Sequence, residues 1–109
     1  MTGAGVDGQG LTRIGLQLRC LLIETNGQRI LVVEDDPAVR SGLREILRVL
    51  GYSVTTVGSR EETVYLPPAP GFDLLLTDYV LPDGSGTDIA HELRSRWPSL
   101  RVVVMSGYA

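Results

Sequence analysis

Lysine is absent from this 109-residue chain; all ten basic residues are Arg. A surface that holds nucleic acid or an anionic membrane needs clustered cations. Ten Arg against 13 acids leave a net charge of −3, so direct nucleic-acid binding and membrane binding are not expected. The one Cys, Cys20, excludes an intrachain disulfide and a multi-cysteine metal site, and fits a reducing compartment. As a small apolar residue in a strand it needs no further role. No apolar run approaches the about 20 residues of a membrane span. The opening "MTGAGVDGQG" has neither a basic residue nor an apolar core for a signal peptide, so the reading is of a cytoplasmic protein. With 43% hydrophobic and 21% charged residues, the chain has room for one small domain with short appendages.

Residues 1–28 read as a disordered or linker segment. The first ten hold four Gly and almost nothing to bury. Within "LTRIGLQLRCLLIE", Ile14, Leu16, Leu18 and Cys20 alternate at the strand period, although Leu11, Ile14, Leu18 and Leu21 would also suit a helix. "TNGQ" then marks a turn.

From Arg29 onward, short apolar runs alternate with helical periodicity. "ILVV", Ile30 to Val33, suits a strand buried on both faces, and three acids, Glu34, Asp35 and Asp36, follow it. Asp36 before Pro37 predicts a helix N-cap, after which Val39, Leu43, Ile46, Leu47 and Leu50 fall on one face until Gly51. "YSVTTV" reads as a strand. A short helix from about Arg60 to Leu66 is cut off by "PPAPG". "FDLLLT" is a third strand. Ser85 and Asp88 have capping-box spacing before a helix carrying Ile89, Leu93 and Trp97, and "RVVVM", Arg101 to Met105, is a fourth strand. The order β-α-β-α-β-α-β implies an open parallel α/β sheet with ligands beyond the carboxyl ends of its strands.

Three of those strand ends carry chemistry. The first delivers Glu34 and Asp35, the third delivers Asp78 in "LLLTDYVLPDGSG", and the fourth delivers Ser106. In a parallel sheet these ends are neighbours, so three carboxylates crowd together and raise one another's pKa unless a hard cation neutralises them. Mg²⁺ is the usual choice, and it leaves room for a phosphoryl group beside a nucleophilic carboxylate.

"ILVVEDDPAVRSGLREILRVLGY", "DLLLTDYVLPDGSG" and "VVVMSGYA" together resemble the receiver domain of two-component response regulators, over about residues 29–109. The resemblance implies a flavodoxin-like strand order with helices on both faces. Carried over by position, Asp78 is the phosphoacceptor, Glu34 and Asp35 are metal-binding acids, and Ser106 contacts the phosphoryl group. Val80 lends its backbone carbonyl to Mg²⁺, and Pro82 and Gly86 shape the loop. The implied partner is a histidine kinase or a histidine phosphotransfer protein. Family members continue with a helix, a fifth strand bearing a Lys and an aromatic switch residue, and a last helix. This sequence stops at Ala109 without a Lys, and Tyr108 does not replace the aromatic residue. It therefore reads as a receiver domain truncated after the fourth strand. One sheet edge and the flank of the first helix would then be open to aggregation or homodimer formation.

Blander roles compete at several positions. Asp78 could be a solvated turn acid, Glu34 and Asp35 could favour a helix dipole, and Ser106 could be an ordinary turn residue. Asp36 is read as a cap, and Asp83 and Asp88 as loop and helix-start residues. "HELRSR", beginning at His91, resembles the phosphoacceptor segment of sensor kinases, but that segment needs a long helical hairpin, so a solvated surface His is the better reading. "TNGQRILVVEDD" looks like a kinase catalytic domain joined to a receiver, which keeps a hybrid sensor kinase open as the parent. Two rival functions stand beside the phosphoacceptor. One is a phosphorylation-independent interaction or decoy domain that binds a histidine kinase. The other is a haloacid-dehalogenase-like phosphatase, disfavoured because Val80 stands where that family has a second Asp. The expected role is not that of an ordinary enzyme: at most, the domain phosphorylates and dephosphorylates itself.

Overall fold

A computed structural model of the chain describes residues 29–105. The strand-like stretch around Ile14 to Cys20 lies outside the described residues, as does Ser106. Nine elements follow one another: β1 (Arg29–Val33), α1 (Pro37–Val49), β2 (Ser53–Val57), α2 (Arg60–Val64), β3 (Leu74–Asp78), β4 (Val80–Leu81), β5 (Gly84–Ser85), α3 (Gly86–Arg96) and β6 (Arg101–Met105).

The main sheet has the order β2-β1-β3-β6 and is parallel throughout. Ile30 stands between Val54 and Leu74, Val33 between Val57 and Thr77, and Asp78 opposite Met105. From β1 the chain moves one way to β2 and then back across to β3, so the order reverses between β1 and β3. The crevice beyond their carboxyl ends is where an open α/β sheet admits ligands.

The apolar runs are continuous because both faces are covered. Alternate residues of β1 and β3 feed two separate cores. On one face, Ile30, Val32, Leu74 and Leu76 meet Leu43 and Leu47 of α1. On the other, Leu31, Val33 and Leu75 meet Ile89 and Leu93 of α3, with Phe72, Leu81 and Leu100. Burying each such aliphatic side chain contributes roughly 1.5–3 kcal/mol. The five-residue stripe expected on α1 is narrower in the structure. Leu43 and Leu47 are buried, whereas Val39, Ile46 and Leu50 are at least 36% exposed.

Helix ends follow the local chemistry. Asp36 Oδ1 accepts from the N–H groups of Ala38 (2.9 Å) and Val39 (3.2 Å), and Pro37 sits at the first helical position, where a missing N–H leaves nothing unpaired. Ser85 Oγ accepts from Asp88 N at 3.1 Å at the start of α3. The helix expected to run to Leu66 stops at Val64. Arg96 of α3 donates to the carbonyls of Thr63 (3.0 Å) and Leu66 (2.5 Å), tying the end of α2 to α3. Trp97 packs edge-on against Phe72 at 5.3 Å and donates from Nε1 to Pro68 O at 2.9 Å. The aromatic pair thereby closes the loop that leads into β3. No helix among the described residues is long and apolar enough to cross a membrane.

Candidate metal centre and acceptor carboxylate

The acid pair stands where β1 leaves the sheet. Glu34 N still donates to Val57 O at 3.1 Å, extending the β2 side of the ladder by one residue. Beyond it the backbone turns, and the Glu34 carboxylate accepts from Asp36 N at 3.0 Å. Glu34 is 5% exposed, while Asp35 is on the surface. Asp36 points its carboxylate into the helix start, so the cap reading holds. Arg40 Nη1 donates to Glu34 O at 2.8 Å and lies 3.4 Å from Asp35 O. Sequence reasoning passed over this residue, although the signal was present. Arg40, Leu43 and Leu47 are spaced i, i+3, i+7, so a cation heads a buried stripe and requires a partner there.

Asp78 ends β3. Its Oδ1 accepts from Tyr79 N at 3.1 Å, and the same N–H reaches Met105 O at 2.9 Å. The stretch after it, expected as a plain loop, is a short hairpin in which Val80 pairs with Ser85 and Leu81 with Gly84. Leu81 is buried and Val80 is 65% exposed. The hairpin returns the chain onto the start of α3, where Gly86 N donates to Tyr79 O at 2.8 Å. A side chain at Gly86 would collide with the Asp78 backbone. At the hairpin tip, Pro82 is exposed. Asp83 spans to α2, its two oxygens each accepting at 2.9 Å from the N–H groups of Arg60 and Glu61. These bonds hold the Asp83 carboxyl below the usual carboxylate range.

Glu34, Asp35 and Asp78 come together as the sequence predicted: one carboxylate oxygen from each lies within 4.8 Å of the others. Burial, followed by the charges of Asp78 and Asp35, raises the Glu34 pKa against the opposing hydrogen bond from Asp36. Burial and then the Asp35 charge likewise raise the Asp78 pKa against the Tyr79 N–H. The ion pair of Arg60 with Glu92 lies away from the three acids, and no described Arg side chain is paired with any of their carboxylates. A set of hard oxygen donors with uncompensated charge fits a small divalent cation, Mg²⁺ above all. Ser106 follows Met105, the register partner of Asp78, and lies outside the described residues. His91 is on the exposed surface of α3, an 11-residue helix leading into β6 rather than a long hairpin arm.

The family model described as "Response regulator receiver domain" matches residues 30–109. The chain is 41% identical over 78 residues to the DNA-binding transcriptional regulator NtrC of Azospirillum brasilense, covering 71% of this chain and 16% of that protein. It is 34% identical over 82 residues to the sensor kinase CckA of Brucella abortus, covering 73% of this chain and 9% of that protein. The chain thus spans a small part of the curated relatives it matches. Among solved structures, it is similar to the response regulator TrrA from Thermotoga maritima in complex with Mg²⁺-BeF, with a TM-score of 0.67 and 32% identity, covering 75% of this chain and 71% of that one. A parallel sheet in the order β2-β1-β3-β6, acids at its switch point and a family match across the same residues lead to one conclusion: the chain belongs to the response regulator receiver domain family.

Proposed function

We propose that this receiver domain accepts a phosphoryl group onto Asp78 from the phosphohistidine of a histidine kinase or a histidine phosphotransfer protein. The observation that carries the reading is the cluster of Glu34, Asp35 and Asp78 at the switch point of a receiver fold. In this reading Glu34, Asp35, Asp78 and the Val80 carbonyl hold Mg²⁺, which when bound offsets the charge of the three acids and of the phosphoryl oxygens. The Tyr79 N–H fixes one Asp78 oxygen and leaves the other to attack phosphorus. The P–N bond of the donor breaks, its electron pair returns to the imidazole nitrogen, and that nitrogen takes up a proton. Ser106 is assigned the phosphoryl contact by its place after β6. The domain acts as an acceptor, with any catalysis confined to its own phosphorylation and dephosphorylation.

The similarity to a transcriptional regulator and to a sensor kinase supports a place in two-component signalling, and in this reading the domain works in the cytoplasm. Self-association along β6, an edge strand among the described residues, belongs to the same reading; Val104 on it is 38% exposed.

The test is direct. With Mg²⁺ and a small phosphoramidate donor, the intact chain should gain the mass of one phosphoryl group, and Asp78→Asn or chelation should abolish the gain. No gain in folded protein would turn the assignment toward a phosphorylation-independent domain that binds a histidine kinase.

A further inference from the structure

Neighbouring residues on a strand point to opposite faces, yet Glu34 and Asp35 bring their carboxylates to one place beside Asp78. The backbone must therefore leave the strand geometry after Glu34. Turning it removes the carbonyls of Glu34 and Asp35 from the ladder, and those carbonyls need donors elsewhere. One group serves both: Arg40 Nη1, at 2.8 Å from Glu34 O and 3.4 Å from Asp35 O. A second feature reserves space for it. A Cβ built on Gly58, just past β2, would stand 2.9 Å from Arg40 Nη1 and 3.7 Å from its Cζ. The Gly58 N–H is held in turn by Glu62 Oε1 at 3.1 Å. The slot opens into a cavity of about 350 Å³ between α1 and the β2–α2 junction, so substituted side chains there have room.

We propose that Arg40 is a positioning residue for the acid pair, its guanidinium fixing the two carbonyls and thereby setting where the Glu34 and Asp35 carboxylates stand relative to Asp78. The proposal rests on the metal-site reading above. It differs from a simple charge effect in sign. A cation beside a metal site repels the metal, so if charge alone mattered, removing it would tighten Mg²⁺ binding and a Lys would serve as well as Arg. A positioning role predicts the reverse, because Gln removes the Nη1 donor and a Lys, with a mobile and strongly hydrated ammonium, holds the two carbonyls less firmly.

The experiment is Mg²⁺ titration by calorimetry on the full chain and on R40Q, R40K and G58A, with amide hydrogen exchange followed in parallel without metal. R40Q should weaken Mg²⁺ binding by about tenfold or more, the usual effect of removing a group that orients a ligand residue, and R40K by less. G58A keeps the cation and should weaken binding too, since its methyl group is most easily accommodated by moving the guanidinium off the carbonyls. In R40Q the Asp36 amide should exchange faster, while Leu31 and Leu47 in the core stay protected. Unchanged or tighter Mg²⁺ binding in R40Q, with R40K matching the native chain, would overturn the proposal. If the native chain takes up no Mg²⁺, the metal reading fails and exchange alone decides: faster exchange at Asp36 sustains the positioning role and an unchanged rate overturns it. Should R40Q not fold, R40K and G58A carry the same comparison.

Discussion

A Cβ on Gly86 would lie 2.3 Å from the backbone oxygen of Asp78 and 3.0 Å from Thr77 Cγ2. The first residue of α3 is thus pressed against the end of β3, and the close approach fixes the end of the hairpin relative to Asp78. Gly86→Ala must push the two segments apart or bend them. We expect a loss of about 1–3 kcal/mol in urea unfolding, the usual scale of overpacking, together with a displaced Tyr79 amide resonance. A urea midpoint equal to that of the native chain would show that the loop yields freely and that the contact does not position Asp78.

The two faces of α1 should respond differently to truncation. Leu47 is fully buried in the core that α1 shares with β1 and β3, whereas Val49 is 81% exposed. Leu47→Ala should cost about 2–5 kcal/mol through lost burial and the cavity left behind. Val49→Ala should stay within about 0.5 kcal/mol, as exposed substitutions do. Chemical denaturation of both variants checks the pair, and equal effects would mean that the helix is not seated as described.

Much of this fold was legible in the sequence because its strongest signals are local. "ILVV" and "LLL" could be read as strands buried on both faces, and Asp36-Pro37 as a helix start, because continuous apolar runs and caps are decided by neighbours in the chain. The acid cluster was also legible, since the strand order that the resemblance implies brings the end of β1 beside the end of β3. Features that depend on contacts between distant segments were less so. Val39, Ile46 and Leu50 share the helical period of Leu43 and Leu47, yet only the latter pair faces the sheet among the described residues. Nothing near Asp83 announces that its carboxylate reaches the start of α2, 22 and 23 residues away in sequence. The hairpin of β4 and β5 is two residues per strand, too short to leave a period. Ser59 and Glu62 did carry a readable signal, with the spacing of a capping box, and Ser59 Oγ accepts from Glu62 N at 3.2 Å.

Asp83 joins the loop after Asp78 to α2, and that joint should be sensitive to acid. Its native pKa is depressed by two backbone N–H donors, below its ordinary value of 3.8. The stabilisation is therefore present above the unfolded value and is lost as pH falls through the native one. Asp83→Ala should lower stability at neutral pH and speed amide exchange at Arg60 and Glu61, and the deficit should disappear on strong acidification. Native-like protection of those two amides in the variant would exclude the cap.

The acid cluster should behave in the opposite sense. Glu34 and Asp78 have native pKa values raised above their ordinary values of 4.5 and 3.8, chiefly by burial. A raised carboxyl pKa means that the native state holds the proton more tightly than the unfolded chain. Without metal, stability then falls as pH rises from those ordinary values through the native ones, and the full penalty persists at higher pH. Asp78→Asn removes one of the crowded charges, so at about pH 7 and without metal the variant should unfold at higher urea than the native chain. The difference should shrink as pH falls below the ordinary value of 3.8, where Asp78 is protonated in both states. Mg²⁺ should raise the midpoint of the native chain at neutral pH and do so less in Asp78→Asn, with the gain fading on acidification because protons and metal compete for the same oxygens. The measurement is a grid of urea midpoints against pH, with chelator or with Mg²⁺, for the two proteins. If Asp78→Asn is no more stable than the native chain at neutral pH in chelator, the three carboxylates are not in electrostatic conflict. The case for a metal at the end of β3 would then lose its physical basis.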